Sequence, residues 1–236
     1  EFTLFNLNGL PLCANATDNT LPPQFKQYCS VGADRAFGRA IIEEHTRLCL
    51  AAGLSIAGIN GEVMGGQWEF QIGPIVGEEE PKSALDTCDD LWLARWLLHR
   101  VAEKHGVVAS FDPKPVASHN GAGCHTNFST KLTRTPGGIK AIRSAIAKLE
   151  PRHNLHMQVY GDGNEARLTG KHETASFERF TYGVADRGAS IRIGADVEAA
   201  GKGYFEVRSP AANCDPYLVL TALLETVCGK GFQPRT

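Results

Sequence analysis

The sequence predicts an α+β fold with a largely antiparallel sheet. Segments that alternate apolar and polar residues occur singly and in pairs, and helical segments separate them at irregular intervals. A doubly wound fold would alternate strands and helices regularly. Three predicted strands carry polar side chains along one whole face, which an antiparallel sheet allows. No internal repeat is present, so we expect a single domain over residues 1–236.

The first elements follow from periodicity. Residues 2–5 read as a strand, and residues 6–33 as a long loop with little periodic signal. An apolar stripe predicts a helix over 34–52, which Gly53 would end. Residues 67–73 alternate strictly between apolar and polar side chains, as a half-buried strand does.

A second helix is predicted after an acidic loop over 77–90. Asp89 or Asp90 would cap this helix, and Gly106 would close it near residue 105. The residues expected on its buried side are Leu93, Trp96, Leu97 and Val101. A short apolar strand over 107–111 follows.

The second half of the chain continues the mixed pattern. Strands are predicted over 123–129, 156–160, 187–193 and 203–209. Helices are predicted over 139–149, through Ile142, Ile146 and Leu149, and from Asp215-Pro216, where proline suits the first turn. Residues 161–178 are charged and aperiodic, and a loop of that length inside a compact domain is usually functional.

Composition narrows the function classes. The 236 residues are 42% hydrophobic, which is too apolar for a disordered chain, and 24 basic residues nearly balance 26 acidic ones. We therefore expect neither a nucleic acid nor a membrane as partner. Seven scattered cysteines without a C-x-x-C pair favour reduced cysteines in a cytoplasmic protein. The first residue is Glu within a strand pattern, so we expect the chain to begin in mid-protein.

The polar strand faces carry groups that can bind a metal. Lysine is nearly absent from them, whereas solvated faces are normally rich in lysine and glutamate. The candidate ligands are Glu62, Glu69, His125 and Glu206. Each glutamate taken singly is typical of a surface position. As a set, carboxylates with one imidazole suit Mg²⁺ or Mn²⁺ better than zinc.

A second group is cationic and consists of Arg167, Arg187, Arg192 and Arg208. Guanidinium groups bind carboxylates and phosphates bidentately, although a structural ion pair is the more common use of any single arginine. Arg187 and Arg192 lie on one face only if the strand bends or Arg187 stands at its end. Metals beside converging arginines indicate phosphoryl transfer, yet no P-loop, G-x-G-x-x-G or kinase motif is present.

Five motifs in order resemble those of the eukaryotic-type glutamine synthetase family. They are residues 60–74 (NGEVMGGQWEFQIGP), 120–131 (NGAGCHTNFSTK), 167–173 (RLTGKHE), 187–192 (RGASIR) and 203–208 (GYFEVR). Together they extend over most of the chain. The resemblance implies a catalytic domain with a curved, largely antiparallel sheet flanked by helices, of the glutamine synthetase and guanidine kinase type, around a funnel-shaped site.

The resemblance also implies two or three Mg²⁺ or Mn²⁺ ions. Glu1, Glu62 and Glu69 would hold one ion. His125 and Glu206 would hold the second, together with a glutamate two positions before Glu1 that this chain does not contain.

Substrate contacts are implied by the same motifs. The residues that would line the ATP site are Asn127, Phe128, Ser129, Arg192, Tyr204 and Phe205. Those that would position glutamate and the transferred phosphate are Asn120, Gly121, Arg167, Arg187 and Arg208. Glu173 matches the family's flap residue, which closes over the intermediate, and we expect Glu62, Glu173, Arg187 and Arg192 to take part in catalysis.

The implied activity is ATP-dependent ligation of ammonia to glutamate through γ-glutamyl phosphate. The expected setting is a cytoplasmic homo-oligomer, a ring assembly such as a decamer. A γ-glutamyl ligase for a bulkier amine and a non-catalytic structural homologue are the alternatives. The intact metal and flap positions disfavour a non-catalytic protein, and the glutamate motifs disfavour a guanidine kinase.

The chain departs from the family pattern in several places. Residue 65 is Gly where the family usually has Pro, which predicts a looser turn. Ser118-His119 replaces a common Asn-Trp pair, residues 10–28 lack the usual loop, and residues 78–88 resemble an insertion. The amino-terminal β-grasp domain, which completes the site between subunits in the family, is absent from this chain.

Overall fold

The computed structural model describes residues 1–73 and 82–229. It has two compact units, Glu1–Asn120 and Gly121–Thr236. Each unit combines helices with a four-stranded sheet. All strand pairs but one are antiparallel, so the predicted α+β class with a largely antiparallel sheet is confirmed for the described residues.

The described residues of the first unit, 1–73 and 82–120, form four strands and two long helices. In chain order these are β1 (Phe2–Asn6), α1 (Arg39–Ala51), β2 (Ile56–Gly61), β3 (Gln67–Ile72), α2 (Ala84–Lys104) and β4 (Val107–Ser110). The strand order in the sheet is β2-β3-β1-β4, with every pair antiparallel. The core contains Phe2 and Leu4 of β1, Ile42 of α1, Trp68 of β3 and Leu98 of α2.

Helix α2 begins earlier than the sequence suggested, so the expected cap at Asp89 or Asp90 is wrong. Ser83 caps the helix: its side chain accepts from the Asp86 backbone N–H, and the Asp86 carboxylate accepts from the Ser83 backbone N–H. This reciprocal capping box satisfies two otherwise unpaired donors and fixes the start at Ala84. Part of the predicted acidic loop, residues 74–81, lies outside the described residues.

The buried side of α2 also differs from the expectation. Leu93 and Trp96 are 41% and 57% exposed, and Ala94 and Leu98 are buried in their place. Val101 is buried and Leu97 is partly buried against the core, as expected. Helices α1 and α2 pack together, and small side chains on α2 let α1 approach closely. Helix α1 in turn begins at Arg39 rather than residue 34, because Gly38 before it has a left-handed backbone with φ of 86°.

The second unit is built from shorter elements. In chain order these are β5 (Thr126–Phe128), α3 (Lys131–Arg134), α4 (Ile139–Leu149), α5 (His153–Met157), β6 (Tyr182–Val184), β7 (Ile191–Ile193), α6 (Ala195–Ala200), β8 (Phe205–Val207) and α7 (Pro216–Val227). The strand order is β5-β8-β7-β6, and only β6 and β7 run parallel. Helices α4 and α7 contribute Ile142, Ile146 and Leu223 to a core that includes Ile191 and Phe205.

Several predictions for the second unit are confirmed. Helix α4 covers residues 139–149 with Ile142, Ile146 and Leu149 buried, as expected. Helix α7 begins at Pro216, and the Asp215 carboxylate accepts from the Tyr217 backbone N–H at 2.9 Å. None of the seven cysteines, all of which lie in the described residues, forms a disulfide, as the sequence suggested.

The strand predicted over 156–160 is wrong. These residues end helix α5 and turn out of it, and His156 Nδ1 lies 2.8 Å from the Tyr160 hydroxyl. That pair is four residues apart, which a helical turn brings together and an extended strand separates. Strand β7 is also shorter than predicted, because residues 187–190 form a turn before it. Arg187 therefore stands ahead of the strand.

In the parts of the chain that the structure describes, no helix has both the length and the apolar character that a membrane span requires.

Candidate functional site

Three carboxylates converge in the first unit. Glu1 precedes β1, Glu62 follows β2 and Glu69 lies in β3, the strand between β1 and β2. One carboxylate oxygen of each lies within 4.8 Å of the others. The antiparallel register, which pairs Phe2 with Trp68, brings Glu1 beside Glu69. The structure thus brings together Glu1, Glu62 and Glu69, which we call the carboxylate cluster.

The carboxylate cluster concentrates negative charge in a partly buried place. Burial, together with the charges of Glu1 and Glu69, raises the pKa of Glu62 to about 8. Like charges and desolvation both disfavour ionisation. A divalent cation would reverse both effects, and an all-oxygen donor set suits Mg²⁺ or Mn²⁺. The donor chemistry therefore fits such an ion.

Asn120, predicted to contact glutamate, is the last residue of the first unit. Its side-chain amide donates to Gln67 Oε1 at 3.2 Å, and Gln67 Nε2 donates to Thr3 Oγ1 at 3.4 Å. Its backbone N–H donates to Gln24 Oε1 at 2.5 Å. These bonds fix Asn120 against β3 and β1. Gly121 begins the second unit.

A second cluster surrounds Glu206 of β8. The sheet register pairs Glu206 with Arg192 of β7 on one side and with Asn127 of β5 on the other. Arg192 Nε donates to Glu206 Oε2, and Arg208 Nη1 donates to Oε1 at 3.0 Å. His125 Nδ1 lies 3.4 Å from the same Oε1. Glu206 is buried, so the two guanidinium groups stabilise its charge.

Arg167 lies beneath this cluster and is only 4% exposed. Its guanidinium donates to the carbonyl oxygens of Arg208 and Ser209, at 3.1 and 3.2 Å, and lies 3.1 Å from His125 Nε2. Gly123 makes this position possible, because a Cβ there would lie 2.3 Å from Arg167 Nη2. Sequence reasoning missed Gly123. Only its place two residues before His125 could have indicated it.

His125 is neutral in this setting. Burial, reinforced by the charges of Arg208 and Arg167, lowers the pKa of His125 well below its usual range. A neutral imidazole keeps a lone pair on one ring nitrogen, as a metal ligand must. His125 and Glu206, the residues expected at a second metal, are thus brought together by the structure.

Glu173 lies on the predicted functional loop. Its carboxylate Oε2 is 2.8 Å from Arg187 Nη2, and its carbonyl oxygen accepts from Arg208 Nη2 at 3.3 Å. His172 and Glu173 both have left-handed backbones, with φ of 52° and 60°. Such a conformation costs about 1–2 kcal/mol per non-glycine residue, so these arginine contacts help to hold the loop.

The residues predicted to bind ATP are divided between surface and core. Phe128 and Phe205 are buried, with ring centroids 5.6 Å apart, so their side chains pack in the core. With its ring buried, Phe205 presents its backbone rather than its side chain to the surface, and its predicted place in the ATP site stays a prediction. Asn127 and Tyr204 are exposed, and Ser129 Oγ accepts from Arg134 at 2.7 Å.

The second unit also contains an open cleft of about 600 Å³ beside the functional loop. Most of its lining is polar or small, and it comprises Gly170, Thr174, Ala175, Ser176, Glu178, Arg179, Thr181 and Gly188. The sequence placed Gly170 and Gly188 in two of the motifs and residues 174–178 in the predicted functional loop, but gave no sign that these residues share one surface.

Fold and clusters together define the class: an α+β domain with a carboxylate site suited to a divalent cation and an arginine-rich site suited to anions. The family model for the glutamine synthetase catalytic domain matches residues 1–136 and 166–232, and the chain belongs to this family. These two segments carry both clusters.

Curated relatives agree with this assignment. The chain is 57% identical over 205 residues to glutamine synthetase N-1 of Phaseolus vulgaris and 56% identical over 205 residues to a cytosolic glutamine synthetase isozyme of Pinus sylvestris. Identity to the cytosolic isozyme 1-5 of Arabidopsis thaliana is 57% over the same length. Each match covers 86% of this chain and 56% of the relative, so the chain spans little more than half the length of these relatives.

Proposed function

We propose that the protein to which this chain belongs is a glutamate–ammonia ligase. It joins ammonia to the γ-carboxylate of L-glutamate and converts ATP to ADP and phosphate, giving L-glutamine. The observation that carries this proposal is the convergence of Glu1, Glu62 and Glu69 within 4.8 Å in a chain of the glutamine synthetase family. Relatives named glutamine synthetase support the reaction.

Divalent cations are part of the proposal. The carboxylate cluster would hold one Mg²⁺ or Mn²⁺, and His125 with Glu206 would hold a second, within a total of two or three ions. Bound cations supply charge neutralisation for phosphoryl transfer. The raised pKa of Glu62 supports a cation there, because three carboxylates in one place resist joint ionisation.

The anionic substrates would meet the arginines. Arg187, Arg192 and Arg208 now pair with Glu173 or Glu206, and phosphate or carboxylate groups would compete for the same guanidinium donors. Glutamate would be positioned by Asn120, Gly121, Arg167, Arg187 and Arg208. For ATP, we propose contacts from Asn127, Ser129, Arg192 and Tyr204 side chains and from the backbone of Phe128 and Phe205.

The proposed chemistry has two steps. The γ-carboxylate of glutamate attacks the γ-phosphorus of ATP, ADP leaves, and a γ-glutamyl phosphate forms while the arginines offset the accumulating charge. Ammonia, after ammonium gives its proton to a carboxylate, attacks the acyl carbon and phosphate leaves. Glu173 closes over the intermediate and excludes water.

The wider setting is proposed by similarity. The sheet would belong to the curved type shared with guanidine kinases, and the protein would assemble as a homo-oligomeric ring such as a decamer. Relatives named cytosolic isozymes support a cytoplasmic location. We propose no nucleic-acid or membrane partner, in keeping with the balanced charge of the chain.

The test is ADP release by the full-length protein. Release should require glutamate, ammonium and a divalent cation together, and should stop when the cation is chelated. Replacing ammonium with bulkier amines distinguishes a ligase for another amine. ADP release that is independent of glutamate would contradict the proposal.

Substitutions in each cluster sharpen the test. Glu69→Gln and His125→Ala should each lower turnover by more than about 100-fold. Even the loss of a residue that only hydrogen-bonds to a metal ligand typically lowers metal affinity or activity by about 10–100-fold. Glu43→Gln is the control, since the Glu43 side chain is about half exposed on α1 and its carboxylate lies 3.8 Å from Arg39 of the same helix. Wild-type turnover in either cluster variant would refute the metal assignment.

A further inference from the structure

Asn60 lies directly beside the carboxylate cluster on the same face of the sheet. It stands at the end of β2, two residues before Glu62, and pairs across the strands with Glu69 of β3. Residues two apart on a strand, and residues directly opposite on a neighbouring strand, share one face. The alternate residues, including Trp68 and Phe70, are buried in the core. Asn60 therefore faces both carboxylates.

Its side-chain amide bonds to both of them. Nδ2 donates to Glu62 Oε1 at 3.0 Å and to Glu69 Oε2 at 3.4 Å. An amide nitrogen carries two hydrogens, so each carboxylate receives one. Asn60 thus links two acidic side chains that would otherwise repel each other, and each keeps its second oxygen for a ligand.

Gln71 fixes the direction of this amide. Gln71 Nε2 donates to Asn60 Oδ1 at 2.7 Å, which leaves the Asn60 nitrogen facing the carboxylates. If the Asn60 amide were flipped, its oxygen would face the acceptor oxygens of Glu62 and Glu69. The Gln71 N–H would then face the Asn60 NH₂ group and lose its acceptor. Gly58 gives Gln71 its place, because a Cβ at Gly58 would lie 2.6 Å from Gln71 Oε1. Gly58, Asn60 and Gln71 therefore act together: Gly58 leaves room for Gln71, and Gln71 orients Asn60.

An uncharged donor has a particular advantage at this position. A lysine or arginine would neutralise the carboxylates and compete with a cation, whereas an amide orients them and leaves their charge intact. Loss of a group that hydrogen-bonds to a metal ligand and orients it typically lowers metal affinity by about 10–100-fold.

We propose that Asn60, oriented by Gln71, is a positioning residue that presets Glu62 and Glu69 for a divalent cation. This inference rests on the proposed metal site at the carboxylate cluster. It adds two residues, neither of which would touch the ion, to the set that determines its affinity.

The test is Mn²⁺ binding to the full-length protein, measured by calorimetry and by the electron paramagnetic resonance signal of free Mn²⁺. Asn60→Ala should raise the Kd of the affected site by about 10–100-fold. Asn6→Ala is the matched control, because Asn6 also stands at the end of a strand, β1, and its Oδ1 also accepts one hydrogen bond, in this case from the Leu10 backbone N–H at 2.9 Å. Its Mn²⁺ affinity should equal that of the wild type.

Gln71→Glu separates positioning from simple charge. It adds a negative charge near the site, which by attraction alone would tighten cation binding. An ionised Glu at 71 cannot donate to Asn60 Oδ1, so the Asn60 amide turns away from the carboxylates and binding weakens. Tighter Mn²⁺ binding in Gln71→Glu, or an unchanged Kd in a folded Asn60→Ala, would overturn the positioning role while the metal site stands. Absence of Mn²⁺ binding by the wild type would overturn both.

Discussion

Metal binding at the carboxylate cluster should release a proton. Burial and the charges of Glu1 and Glu69 raise the pKa of Glu62 to about 8 in the metal-free protein. A carboxylate must be ionised to bind a cation, so the ion displaces the proton that Glu62 holds near neutral pH.

The size of the effect follows from that pKa. With a pKa of about 8, Glu62 is about 90% protonated at about pH 7 and about 10% protonated at about pH 9. Binding of Mn²⁺ should therefore release about one proton at the lower pH and almost none at the higher pH. The apparent Kd should fall about tenfold over the same interval. His125 adds no proton, because its pKa is lowered well below the usual range.

Calorimetric titration in buffers of different ionisation enthalpy measures the released proton directly. Glu62→Gln removes it and should leave the remaining, weaker binding independent of pH between about 7 and 9. Wild-type heats that do not depend on the buffer at about pH 7 would refute a protonated Glu62.

The same pKa fixes the sign of the pH dependence of stability. Because the pKa of Glu62 in the folded protein lies above the ordinary glutamate value of 4.5, the folded state holds this proton more tightly than the unfolded state. The stabilisation is fully present below pH 4.5 and is lost as pH rises through about 8. In chelator, the metal-free protein should lose stability over this window, and Glu62→Gln should flatten that loss.

Three further predictions concern other parts of the chain. Gly123→Ala should destabilise the protein by about 1–3 kcal/mol in urea, because the new Cβ overlaps the buried Arg167 guanidinium. Gly188→Ala should cost far less, because its Cβ would lie 3.4 Å from Asp186 Oδ1, an ordinary contact distance. Ser83→Ala should cost about 1 kcal/mol in the same assay, because α2 loses its cap. Glu173→Ala should keep nucleotide affinity but lose ammonia transfer, measured as glutamine formation.

Opposite results would be informative for each of these predictions. Equal unfolding midpoints for the Gly123 and Gly188 variants would mean that Arg167 moves aside freely. A Ser83→Ala variant as stable as the wild type would mean that α2 does not depend on its capping box. Weaker ATP binding with unchanged turnover in Glu173→Ala would contradict the flap role.

Strong local signals allowed parts of the fold to be predicted from sequence. Helix α4 has Ile142, Ile146 and Leu149 at helical spacing, and its predicted bounds match the structure. Helix α7 starts where Asp215 supplies a cap. Each signal lies within the element itself, so no tertiary contact was needed to read it.

Helix α2 shows why other parts could not be predicted. Two stripes compete on it, one with Leu93 and Trp96 and another with Ala94 and Leu98. Hydropathy predicts that the stripe with the larger side chains is buried. In the structure α1 packs closely against α2, and the stripe that contains Ala94 is buried instead. The choice depends on a neighbour far away in sequence, which periodicity does not contain.

The candidate site divides in the same way. Motifs identified the charged residues, including Glu69, His125 and Glu206, because their chemistry is visible in the sequence. The partners that orient them were missed: Asn60 and Gln71 are ordinary strand amides, and their role depends on cross-strand register. Uncharged groups reveal their use only when the fold shows what they face.

Gly65, which stands where the family pattern usually has Pro, has a structural explanation. A Cβ at Gly65 would lie 2.6 Å from the Cβ of Cys13 and 3.1 Å from its Sγ. Cys13 is buried and comes from the divergent loop over residues 10–28. The two departures are therefore linked: the loop fills the space that a larger residue at 65 would need, and the turn is packed rather than loosened.

The tryptophans have a consequence for spectroscopy. All three lie in the first unit: Trp68 is buried and donates to the Phe37 carbonyl oxygen at 2.7 Å, whereas Trp92 and Trp96 are exposed on α2. Residues 121–236 contain no tryptophan. Indole fluorescence of this chain therefore reports on the first unit alone, while circular dichroism reports on both. Denaturation curves from the two signals coincide only if the units unfold in one cooperative transition.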